Sequence, residues 1–88
     1  MRIYELRPAS GQKSFYGKAQ VHEQDGGKLV LYSYGTPVAS INASGTFTRL
    51  RGDWSATTGK HIRAFCSQCG IEIVNKAVWD KMPVATEW

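Results

Sequence analysis

The spacing of hydrophobic and polar positions changes period once along the 88 residues, and that change predicts the fold. Residues 15–24 alternate, with Phe15, Gly17, Ala19 and Val21 on one side and Tyr16, Lys18, Gln20 and His22 on the other. That is the period of a half-buried strand. Asp25-Gly26-Gly27 supplies the positive φ that a tight hairpin needs, and residues 28–34 continue as its second strand. Gly35-Thr36-Pro37 is expected to interrupt the strands, since proline cannot donate to a central ladder. Residues 38–43 and 46–50, joined at Ser44-Gly45, read as a further hairpin. Residues 2–6 form a short strand ahead of a loop at 7–13 that holds Pro8 and Gly11. About five antiparallel strands in a meander result, a topology whose short links cost little loop entropy.

After Trp54 the period becomes helical. Ser55 or Thr57 suits an N-cap, Ile62, Phe65, Cys66 and Cys69 recur on one stripe, and Gly70 is a stop. Gly59 in the first turn costs up to about 1 kcal/mol relative to alanine, so this helix has to lean on packing. Its stripe should lie across one sheet face, leaving Lys60, His61 and Arg63 outward or at the edge. A second, shorter helix is expected from about Asn75 to Lys81, with Val78, Trp79 and Met82 as its buried side and Pro83 beyond its end. The fold class is α+β: a five-stranded antiparallel meander with one C-terminal helix packed on it and a short second helix.

Composition narrows the function more than it narrows the fold. A chain of 9.8 kDa makes one domain over residues 1–88, and 42% hydrophobic residues with 20% charged suit a folded state. No apolar run nears the roughly 20 residues of a membrane span, and two cysteines are too few for a disulfide scaffold. No signal peptide follows Met1, so a cytoplasmic, soluble protein without membrane partners is expected. The net charge of +4 is uneven: residues 1–22 and 44–69 each carry +3, while 23–43 and 70–88 carry −1 each. Were the two basic segments to meet in space, they would make one positive face suited to an anionic partner.

Each candidate motif has an ordinary structural reading beside the functional one. Cys66-Ser67-Gln68-Cys69 has metal-ligand spacing, but a zinc site needs four ligands and His22 and His61 are the only histidines left to complete it. His61 and the cysteines stand roughly 60–140° apart around one helix. The pair also falls late in that helix and on its apolar stripe, so packing thiols are expected in place of metal or redox chemistry. His61 beside Thr57, Thr58 and Lys60 could serve as a catalytic base or as part of an anion cradle at a helix start. The ordinary alternative is a solvated helix face with a capping threonine. No phosphate-loop, nucleophile-elbow or H-E-x-x-H pattern occurs. The chain therefore reads as a non-enzyme, with no cofactor and no metal. The strand face of Tyr16, Lys18, Gln20 and His22, joined by Tyr32, Tyr34 and Arg49, could stack single-stranded bases, or its tyrosines could be ordinary half-buried strand residues. Arg51-Gly52-Asp53 spells an adhesion tripeptide that a chain without an export signal has no use for. Trp54 and Trp88 are expected to pack.

Three segments resemble one family. Gln12-Lys13-Ser14-Phe15-Tyr16-Gly17-Lys18-Ala19 resembles its opening strand motif, and Leu31-Tyr32-Ser33-Tyr34-Gly35-Thr36-Pro37-Val38-Ala39 its central one. Trp54-Ser55-Ala56-Thr57-Thr58-Gly59-Lys60-His61-Ile62 with Phe65 resembles its helix entry. The family comprises small uncharacterised proteins of phages, plasmids and other bacterial mobile elements, grouped as a domain of unknown function. The resemblance spans residues 1–75 and implies an accessory protein of a mobile element, with no activity attached. With the charge and the missing catalytic constellation, the expectation is a binding protein for a host protein or nucleoprotein complex. Inhibition of a bacterial defence system, in the manner of an anti-CRISPR, is its concrete form. Candidate contacts are Lys13, Tyr16, Lys18, Arg49, Arg51, Lys60 and Arg63. A nucleic-acid-binding regulator of the element is the rival, and a zinc- or thiol-dependent enzyme the third class. The partner and the oligomeric state stay open, an exposed edge strand being compatible with a dimer.

Overall fold

The alternating segments pair in sequence order. The computed structural model describes residues 2–6, 18–52 and 54–85, and holds a five-stranded antiparallel sheet, β1 Arg2–Glu5, β2 Ala19–Glu23, β3 Leu29–Ser33, β4 Thr36–Ile41 and β5 Phe47–Arg49. Each strand lies beside its predecessor, as the hairpin signals predict. Two helices follow, α1 Ala56–Gln68 and the shorter α2 Lys76–Lys81. The architecture is α+β, sheet first and helices after. No helix among the described residues is long and apolar enough to cross a membrane.

Register sorts the side chains. Tyr4, Val21, Leu31, Ala39 and Arg49 lie opposite one another across all five strands. With Ala19 and Ile41 they belong to the face that α1 covers, where Ile62, Ala64, Phe65 and Cys66 fill the core with them. Gln20, His22 and Tyr32 take the other face, and the His22 and Tyr32 rings stack there with centroids 3.8 Å apart. The strands do break at Gly35, which lies in the turn between β3 and β4, but the expectation that Thr36 and Pro37 belong to that break is corrected. β4 begins at Thr36, and Pro37 sits inside it opposite Tyr32. The register slips between Leu31 and Tyr32, and this irregularity is the setting in which a strand tolerates a residue with no N–H. It also leaves Val38 and Ala39, neighbours in sequence, both buried in the core.

The helix caps follow the sequence. Ser55 caps α1 by accepting from the Thr58 amide at 3.0 Å. At the other end the Ile71 and Gly70 amides return to the Cys66 and Ser67 carbonyls, the two-bond pattern of a Schellman cap. Asn75 caps α2 through the Val78 amide. The short α2 delivers one large group: Trp79 is fully buried, against Trp54 at 5.5 Å and edge-on to Phe47 at 6.2 Å between ring centroids. Met82 is half-buried beside it, whereas Val78, expected on the buried side, is exposed. Gly59 has a reason to be glycine, since a Cβ there would stand 2.8 Å from the Trp54 ring. The helix gives up propensity so that this indole can lie against its backbone.

Candidate functional site: an aromatic turn flanked by cations

The β3–β4 connection has two residues, Tyr34 and Gly35, with φ of +53° and +77°. Two consecutive positive φ values define the hairpin turn whose twist matches the flanking strands. Glycine takes that conformation freely, but a tyrosine there is strained by its Cβ. Burial of the ring does little to repay this strain, because Tyr34 is 57% exposed. Its backbone is held from below, the amide donating to the Lys18 carbonyl at 2.7 Å.

Cations gather around this ring. The Lys18 ammonium stands 5.9 Å from its centroid. Arg51 lines a small cavity with Tyr34, Ser33, Thr36, Val38 and Thr58, about 150 Å³ in volume. Lys18 comes from the first basic segment and Arg51 from the second, so the fold brings a member of each to one turn. Beneath them Ser33 and His61 share a buried hydrogen bond, Oγ to Nδ1 at 2.8 Å. It fixes the end of β3, and with it the turn, to α1.

His61 corrects the sequence reading, which put it outward. It is 1% exposed, and the Tyr34 ring stands 5.9 Å from its own. Burial, and secondarily the Lys18 charge, hold its pKa below the ordinary imidazole value. A histidine so placed is neutral at pH 7 and makes a good polar tie inside a small core. The signal was available in the helical period: His61 is three residues before Ala64 and four before Phe65, on the buried stripe.

The remaining predicted contacts separate. Arg49 does not join the tyrosine face, because its register position is on the side covered by α1. Its guanidinium donates to four backbone carbonyls, those of Trp79 at 2.7 Å, Arg51 and Met82 at 2.9 Å, and Gly52 at 3.1 Å. The same group lies 4.9 Å from the Trp79 ring. It ties α2 and the 51–52 loop to the sheet and is a structural residue. Lys60 and Arg63 are exposed on the outer side of α1 and are not among the residues gathered at Tyr34. Lys13 and Tyr16 lie outside the described residues, as do Asp53 and Trp88.

Both cysteines are free thiols, Cys66 buried and Cys69 half-buried. Burial raises both pKa values, and the neighbouring Cys66 raises that of Cys69 further. Raised thiol pKa is the reverse of what a reactive cysteine needs. Among the described residues no three of histidine, cysteine, aspartate and glutamate gather as metal ligands.

No curated protein and no solved structure matches the chain. The sequence itself matches a family of unknown function, DUF8033, over residues 4–81, which take in the second half of β1, the other four strands and both helices. With most of its length inside that match, the chain belongs to this family of unknown function.

Proposed function

We propose that this is a non-enzymatic binding protein whose contact surface centres on Tyr34, with Lys18 and Arg51 at its flanks. The observation that carries the reading is an exposed tyrosine held at φ +53° beside Lys18 and Arg51, one cation from each basic segment. Strained, exposed aromatics are costly to keep for stability alone and are well suited to anchoring an interface. The cations suit a partner with an acidic face, and they favour encounter as well as affinity. Ser33 and His61 serve this surface by position. As a nucleophile Ser33 would need an accessible hydroxyl, and it is only 4% exposed.

The partner is a host protein or nucleoprotein complex, and the protein acts as an accessory factor of a phage or other mobile element in the bacterial cytoplasm. Blocking a defence complex such as CRISPR is the form of action that best suits a small basic binder without catalytic groups. Lys60 and Arg63, exposed on α1, and Lys13 and Tyr16 remain candidates from the sequence. The test is affinity capture from the bacterial host with and without nuclease, comparing wild type with Tyr34→Ala and with Lys18→Glu/Arg51→Glu. The expected result is a nuclease-resistant partner that both variants lose. Capture unchanged in both variants would falsify the site. Nucleic acid alone, released by nuclease and by raising salt from about 50 to about 200 mM, would replace the proposal with direct nucleic-acid binding.

A further inference from the structure

The end of α1 away from Tyr34 borders a second, larger opening. Between the C-terminal half of that helix and the sheet lies a cavity of about 310 Å³. Its floor is apolar, with Val21, Leu29 and Ile41 from three adjacent strands and Phe65 from α1, and its rim is polar and open to solvent. No charged side chain is among the described residues that line it. The turn after β4 closes one side with Ala43 and Gly45.

Three polar groups at its edge have unused hydrogen-bonding capacity. Tyr4 and Cys69 both line the cavity, and neither the hydroxyl nor the thiol makes a hydrogen bond among the described residues. Asn42 spends its side-chain oxygen on the Ser44 and Thr46 amides at 3.0 and 2.9 Å, leaving its NH₂ group to donate. All three can donate a proton. Burial raises the Tyr4 and Cys69 pKa values, so each keeps that proton at neutral pH.

We propose that this cavity is a binding site for a small neutral molecule of about two fused rings bearing one hydrogen-bond acceptor, such as a ring carbonyl. Size sets the first limit: an enclosed cavity of about 150 Å³ holds one benzene, and this cleft, open on its polar side, has about twice that space. Charge sets the second. Among the described residues no cation lines the walls to meet an anion and no carboxylate to meet a cation, so a charged ligand would lose its hydration uncompensated. The donors set the third, since an acceptor placed at the edge would satisfy groups that otherwise have only water. The site is independent of the Tyr34 surface and stands whether or not that surface binds a partner.

Coumarin, which is neutral, bicyclic and carbonyl-bearing, is the probe. It is titrated into the ¹⁵N-labelled full chain and followed by amide chemical shifts, with naphthalene as the partner lacking an acceptor. The proposal expects saturable shifts centred on Tyr4, Leu29, Phe65 and Cys69. Tyr4→Phe should weaken coumarin by about 2–10-fold, the worth of one hydrogen bond, and leave naphthalene unchanged. Ala43→Phe, at an exposed turn position lining the cavity, should weaken both by at least 10-fold. Shifts that do not saturate, that centre elsewhere, or that survive Ala43→Phe would overturn the site. An equal loss of both ligands in Tyr4→Phe would overturn the acceptor requirement.

Discussion

Replacing Arg49 tests the reading that moved this residue from the surface into the framework. Its guanidinium makes four bonds of 2.7–3.1 Å to carbonyls of two chain segments and lies 4.9 Å from the Trp79 ring. A hydrogen bond with one charged partner nets about 1.5–3 kcal/mol, and a cation over an aromatic face about 0.5–2 kcal/mol. These contributions do not add, because the carbonyls that are near solvent regain water when the side chain is removed. Arg49→Ala is therefore expected to cost about 3–5 kcal/mol. Arg49→Lys keeps the charge but has no planar fork to reach both segments, and should cost about 2–3 kcal/mol. Against the roughly 4–13 kcal/mol expected for a domain of this length, the alanine variant is close to unfolding. Urea unfolding followed by tryptophan fluorescence measures the difference, with Arg63→Ala on the exposed side of α1 as a control that should cost no more than about 0.5 kcal/mol. If Arg49→Ala and Arg63→Ala unfold at the same urea concentration, the four bonds contribute nothing and the structural role is refuted.

Three other outcomes follow from the packing and the turn. Gly59→Ala should lower stability by about 1–3 kcal/mol although alanine is the better helix former, because its Cβ would strike the Trp54 ring; a raised Tm would show that the indole moves aside at no cost. Because the pKa of His61 is lower folded than unfolded, the unfolded chain binds its proton first. Stability should then fall as pH drops below about 6.5, by at most about 1.4 kcal/mol per pH unit, and a His61→Gln variant should flatten that part of the urea-midpoint profile. Tyr34→Gly relieves the positive φ and should leave stability unchanged or raised by up to about 1 kcal/mol while abolishing partner capture; a loss of both would make Tyr34 a folding residue.

The sequence made the sheet and both helix starts legible for separate reasons. Strand alternation at 19–23 and the turn residues at Gly26-Gly27 and Ser44-Gly45 are local signals, and a meander asks for little else; the part of the alternation at 15–17 lies outside the described residues. Ser55 and Asn75 cap where hydroxyl and amide side chains are expected to. What failed were positions decided by a distant neighbour. Pro37 is admitted by a register slip that forms only against β3, and His61 is buried because Ser33 lies opposite with a hydroxyl to share. Arg49 looked like a surface cation until α2 placed two carbonyls within its reach. The candidate site was half legible: the basic segments and the tyrosine could be named, but the meeting of Lys18 and Arg51 with Tyr34 at the β3–β4 turn is a property of the fold. Nothing in the sequence marked the 310 Å³ cavity, whose walls come from four strands and a helix.

The order of the elements has a cost during synthesis. All five strands precede residue 50, while the helix that covers their apolar face and the tryptophan that closes the core come after it. At about 5–20 residues per second, the ribosome needs roughly 2–7 s to add the segment from residue 51 to 85. Until those elements arrive, a nascent hairpin sheet presents Leu31, Ala39 and Ile41 to solvent with nothing of its own to lay over them. Yield on expression should therefore respond more to holdase chaperones and to slower growth than the stability of the finished domain would suggest.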